Sequence, residues 1–223
     1  MPSRMRRRQH APPAHDESRP TLPDKASPAL LARVRFLVFW CGAVMMGLEI
    51  AGSRLLAPHF GNSVFIWGGL ITVFLAAMSC GNYVGGWLAD HTPRLGVLST
   101  ICMGVAVWVA GLAYVANACC SALGGMGLSD EVGPLVASLV LFLPPSIGLG
   151  AVTPFAIRLA ASSVSTVGKV SGSLSALSSL GSILGTFVTT FVLIPIASHT
   201  AILIGLGVSL LVAAAVAGWR WRT

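Results

Sequence analysis

The sequence predicts an all-α polytopic membrane protein with about six transmembrane helices, and three observations carry that prediction. Hydrophobic residues make up 55% of the 223 residues and charged residues 9%, against roughly 45–50% and 25% in an average soluble domain. A water-soluble fold of this size could not cover its surface. Six apolar runs reach the ~20 residues that a membrane-spanning helix needs. The acidic residues are swept out of those runs: of Asp16, Glu17, Asp24, Glu49, Asp90, Asp130 and Glu131, all but Glu49 fall in the amino-terminal arm or in links.

Residues 1–32 carry Arg4, Arg6, Arg7 and Arg8, several prolines and no apolar period able to bury a face. They read as a disordered basic cytoplasmic arm. The first apolar run begins near Val34 and is long enough to span the bilayer, so it reads as a retained helix rather than a cleaved signal. The six-helix transmembrane domain occupies 33–223, with spans predicted at 35–56, 64–88, 95–117, 133–153, 172–194 and 199–218. Pro144 and Pro145 are expected to interrupt or kink the fourth span and Pro154 to close it, since proline removes a backbone donor.

Lys and Arg set the orientation. With the amino terminus inside, the cytoplasmic side holds the arm, Arg33, Arg35, Arg94, Arg158, Lys169, Arg220 and Arg222, and the outer side holds Arg54. This predicts a multi-pass protein of the plasma (inner) membrane with both termini cytoplasmic. Trp67, Trp87, Trp219 and Trp221 fall near span ends, where amphipathic rings prefer the headgroup level. The net charge of +7 is read as topology signal and contact with anionic lipid, not nucleic-acid binding, because the basic residues flank apolar runs.

Gly81 and Gly85 in span two, and Gly172, Ser175, Ser179, Gly181, Ser182, Gly185 and Thr186 in span five, allow close backbone approach to a neighbouring helix of the same chain or of a second copy. Cys41, Cys80, Cys102, Cys119 and Cys120 have no metal-ligand spacing, and only the adjacent Cys119 and Cys120 raise the question of a disulfide. No catalytic motif, metal site or cofactor site is read here.

Glu49 stands out, because a carboxylate in hydrocarbon costs several kcal/mol unless paired, hydrated or protonated. It is open to two readings: a site for a cationic substrate or a proton relay, or a structural role, either paired with Arg54, for which five residues is a poor helical spacing, or hydrogen-bonded to a neighbouring helix. In the link Pro58-His59-Phe60-Gly61-Asn62-Ser63, His59 is either a pH-sensing or a solvated histidine, and Asn62 or Ser63 is suited to cap the next helix. Asn82 fits a ligand contact or an interhelical hydrogen bond. Glu49, Arg54, His59 and Asn82 are the candidate substrate-binding residues. Asp90, Arg94 and Arg158 are the candidate conformational latch, with Arg94 four residues after Asp90.

Gly52-Ser53-Arg54-Leu55-Leu56-Ala57 echoes Ala156-Ile157-Arg158-Leu159-Ala160-Ala161 at the opposite membrane face. A three-plus-three inverted repeat produces such an echo, and so does coincidence in a short string.

The segment Leu48 to Ser63 with Trp67-Gly68, the segment Gly81-Asn82-Tyr83-Val84-Gly85-Gly86-Trp87-Leu88-Ala89-Asp90, Gly150 to Arg158, and Gly168 to Gly185 with Leu193-Ile194-Pro195 together resemble the membrane region of spermidine synthase-like proteins. In those proteins a major-facilitator-like helical domain is fused to a cytoplasmic aminopropyltransferase-like domain. The resemblance implies half of a major facilitator fold and a polyamine or aminopropyl-transfer context. The chain ends at Thr223 without the soluble domain, so it implies a membrane subunit that anchors or supplies substrate to a separate cytoplasmic synthase-like (aminopropyltransferase or methyltransferase-like) enzyme. The alternative is a half-size transporter of polyamine or another cationic solute, working as a homodimer.

Overall fold

The computed structural model describes residues 27–61, 63–161 and 164–218. Ser27 opens helix α1 (Pro28–Phe60): its hydroxyl accepts the Leu30 N–H at 3.2 Å, and Pro28 takes a first-turn position where the missing N–H costs nothing. The helix ends at Gly61, whose φ of +80° suits glycine and whose N–H bonds the Ala57 carbonyl at 3.0 Å. Residues 28–32, expected within the disordered arm, are therefore helical. The start signal precedes the apolar run, and Leu30 and Leu31 pack against the core.

The following helices are α2 (Val64–His91), α3 (Leu95–Gly124), α4 (Val132–Ala160), α5 (Val164–Val188) and α6 (His199–Gly218). All six spans are long and apolar enough to cross a membrane, and the fold is an all-α polytopic membrane protein. At ~1.5 Å rise per residue α1 reaches about 50 Å, more than the ~30 Å hydrocarbon layer. The apolar run marks the part of α1 in lipid, and its Ser27-capped first turns extend beyond it.

Two expected interruptions differ. Helix α4 stays continuous through Pro144, Pro145 and Pro154. The carbonyl that Pro145 cannot bond is that of Leu141, and the Trp108 indole N–H of α3 takes it at 3.3 Å. Helix α5 instead widens into a π turn over Thr189–Leu193 before a short helical end, Ile194–Ile196. Pro195 has no N–H for the Phe191 carbonyl, and the Ile194 N–H reaches back to Thr189.

The packing has an internal symmetry. The helix pairs in most extensive contact are α2 with α4, α1 with α5, and α3 with α6, and α1 is the hub that touches each of the others. Exchanging α1 with α4, α2 with α5 and α3 with α6 maps those three pairs onto themselves. The close contacts match residue by residue. A side chain at Gly81 would overlap the backbone of Ile147 and Ala151, and one at Gly181 would overlap Phe39 and Ala43. Gly85 meets Ala151 as Gly185 meets Ala43, and Gly150 meets Met78 as Gly42 meets Ser178. Every α5 member stands 100 positions after its α2 counterpart and every α1 member 108 before its α4 counterpart. Because α1 and α4 run in opposite directions through the membrane, this is a three-plus-three inverted repeat.

Leu37, Leu48, Leu55 and Leu56 of α1 are fully buried with Phe74, Phe142 and Phe155. The Phe74 and Phe142 rings lie 5.9 Å apart at 35°. Helix α5 is the least buried span: its Gly181 and Gly185 face α1 as the small-residue pattern predicts, while Gly172, Ser175 and Ser179 are exposed.

Candidate functional site

Among the described residues the charged side chains other than Glu49 stand near the helix ends or in the links. At one face Asp90 stands in the last turn of α2 and Arg158 in the last turn of α4, and Arg158 Nε donates to Asp90 Oδ1 at 3.0 Å. Beside them the His91 ring lies 4.5 Å from Trp87, and His91 Nδ1 is 2.8 Å from the Trp87 carbonyl oxygen. Thr92 ends α2, its N–H and hydroxyl both donating to the Leu88 carbonyl, and Pro93 follows. The partner of Asp90 is thus Arg158 on a different helix rather than Arg94 in the adjoining link. Arg94 takes the residue ahead of α3 and has no ion pair among the described residues.

At the other face Arg54 lies near the end of α1, between two adjoining cavities. One, of about 310 Å³, is lined by Ala51, Arg54, Ile194, Ser198, His199 and Ile202 among others. The other, of about 300 Å³, is lined by Ile50, Ser53, Arg54, Trp67, Thr190 and Ile194 with Ala57. Ser53 turns its hydroxyl onto the Ile50 carbonyl at 2.9 Å. Ser198 caps α6 by accepting the Ala201 N–H at 3.3 Å. His199, the first residue of α6, has a buried Nε2 with no hydrogen-bond partner among the described residues.

The four candidate binding residues do not converge on one pocket. Glu49 and Arg54 are five residues apart on α1, which places them about 140° apart around the helix, and they form no ion pair. Glu49 is half-buried and lines neither cavity. His59 is half-buried at the end of α1, its ring 6.4 Å from Phe60. Asn82 is exposed on α2, one residue past Gly81 and well along the helix from the Arg54 end, with no interhelical hydrogen bond among the described residues. Ser63 takes the place ahead of α2, yet its hydroxyl makes no cap bond; Asn62 lies outside the described residues. Trp219, Arg220, Trp221 and Arg222 also lie outside them. All five cysteines are free thiols, Cys119 and Cys120 included.

Sequence reasoning passed over His199 and Thr190. The available signal was local for His199: Pro195 followed by Ser198-His199-Thr200 marks the start of a helix with a titratable side chain at its first turn. Thr190 carries no signal of its own and gains meaning only from the fold. Compared with family models, curated proteins and solved structures, the chain gives no match. Fold and geometry therefore define a class, a six-helix membrane protein built as an inverted repeat.

Proposed function

We propose that the chain is a membrane subunit that anchors, and supplies substrate to, a separate cytoplasmic enzyme of the spermidine synthase-like type. The observation that carries this reading is where the four resembling segments fall. Gly81–Asp90 and Gly150–Arg158 form the α2–α4 seam and its closing ion pair, Gly168–Gly185 and α1 form the second seam, and Leu48–Ser63 supplies Glu49 and Arg54. The resemblance thus concentrates on the contacts that build the fold, and it extends to the two charged positions of α1. In this reading the Asp90–Arg158 face is cytoplasmic, where an enzyme docks.

Affinity purification of the tagged chain in mild detergent, followed by mass spectrometry, tests the proposal. A soluble aminopropyltransferase-like or methyltransferase-like protein is expected at near-equal amount, and a chain recovered without it counts against the reading.

The inverted repeat favours a second reading, a half-size transporter working as a dimer, because alternating access is commonly built on such repeats. Uptake of labelled polyamine into proteoliposomes, lost in Glu49→Gln, would favour transport. Absence of flux across a range of amines would favour the docking role.

A further inference from the structure

The two seams of the repeat end differently. In the α2–α4 seam, Asp90 stands five residues past Gly85 and pairs with Arg158. In the α5–α1 seam, the position five past Gly185 is Thr190, where an acid would be needed to complete the match. An arginine is nonetheless present: Arg54 stands one helical turn beyond Ile50, the position that corresponds to Arg158. Arg54, Ile50 and Thr190 line one cavity together.

Arg54 therefore has the setting of a seam-closing arginine without the carboxylate. It makes no ion pair or hydrogen bond among the described residues. The neighbouring cavity, which shares Arg54 and Ile194, adds His199 with its buried, unpartnered Nε2. Among the described residues no acidic side chain lines either cavity. The free guanidinium fork leaves donors without acceptors, and the unpartnered imidazole nitrogen joins them as a donor in its Nε2–H tautomer or when the ring is protonated. The first turn of α6, whose Ala201 N–H is already taken by Ser198, adds the positive end of the helix dipole.

We propose that the paired cavities at Arg54 bind a phosphate-class oxyanion, with the Arg54 guanidinium as the charged clamp and His199 Nε2 as a second donor. Ile50, Ala57, Ile194 and Ile202 give the cavities apolar walls, so the bound group can be a free anion or the headgroup phosphate of a lipid whose chains lie along them. This assignment holds whether the chain serves an enzyme or moves a solute.

The unfolding midpoint of the full chain tests it. In detergent the chain is titrated with sodium phosphate against sodium chloride at matched ionic strength, and in nanodiscs phosphatidylglycerol is compared with phosphatidylcholine. A saturable rise is expected, because a ligand bound only to the folded state stabilises it. Arg54→Gln should abolish the rise and Arg54→Lys should keep it at weaker affinity. Thr190→Asp, which supplies the missing acid, should weaken the response at least tenfold while raising the midpoint without ligand. A rise with phosphate in detergent assigns a free anion, and a rise with phosphatidylglycerol alone assigns a lipid headgroup. No rise with either, or a rise that Arg54→Gln and Thr190→Asp leave intact, overturns the proposal.

Discussion

Arg158 Nε lies 3.0 Å from Asp90 Oδ1, joining the ends of α4 and α2 while 53% and 67% of the two side chains remain exposed. That exposure decides what the pair can do. An open ion pair contributes about 0.2–1 kcal/mol and is screened by salt, whereas the glycine contacts along the same seam are buried and backbone-deep. The seam is held by packing, and the pair adds little to it. Asp90→Asn and Arg158→Gln should each lower the unfolding midpoint only slightly in low salt and not at all in high salt. A double-mutant cycle should return a coupling below about 1 kcal/mol. A loss of several kcal/mol from either single substitution would mean that the pair is structural.

The glycines predict effects of opposite sign for one chemical change. Gly→Ala in a helix interior gains up to about 1 kcal/mol of helix propensity where the site is open. Gly68 has nothing within 4 Å of an added Cβ, so Gly68→Ala should be neutral or stabilising. At Gly85 and Gly185 the same methyl runs into the backbone of Ala151 and Ala43, and overpacking of about 1–3 kcal/mol outweighs the propensity gain. Both should lower the detergent unfolding midpoint, and by similar amounts if the two seams are equivalent.

Trp108 offers a test of how α4 keeps its three prolines without breaking. Its indole N–H, 3.3 Å from the Leu141 carbonyl, stands where the Pro145 N–H is missing. Trp108→Phe keeps most of the ring and removes the donor. An interhelical hydrogen bond in a membrane protein is worth about 0.6 kcal/mol on average, so a midpoint loss of that order is expected. In a Pro145→Ala background, where residue 145 supplies its own N–H, the effect of Trp108→Phe should shrink. An equal loss in both backgrounds would separate Trp108 from the proline.

The six spans were legible because hydrophobic length is a local property. Partnerships were not, because they depend on contacts distant in sequence. Asp90, Arg94 and Arg158 all stand out as charges at span ends, but which arginine pairs with Asp90 is not legible, because Arg94 is the nearer and Arg158 stands 68 positions away. The string Gly52–Ala57 does echo Ala156–Ala161, yet the packing aligns Arg158 with Ile50 and leaves Arg54 one turn further on. The repeat is thus written in the spacing of its glycines more faithfully than in the arginine-leucine string. The prolines of α4 read as a break because a side-chain donor from α3 is invisible to local pattern.

The arrangement of charge predicts the orientation of the whole chain. Arg33 and Arg35 lie near the start of α1, Arg94 just ahead of α3, Arg158 near the end of α4 and Lys169 near the start of α5, and the Asp90–Arg158 pair ties two of these ends to one face. Arg54 is at the opposite face. Lysine and arginine near span ends are retained on the cytoplasmic side, so the Asp90 face should be cytoplasmic, and an even number of spans returns the carboxyl terminus to it. A fluorescent protein fused after Thr223 should mature and fluoresce. Alkaline phosphatase inserted at Gly127, where a φ of +67° marks an exposed turn between α3 and α4, should be active. The reverse pattern would place Arg54 and its cavities toward the cytoplasm, and a docked enzyme would then have to meet those cavities rather than the ion pair.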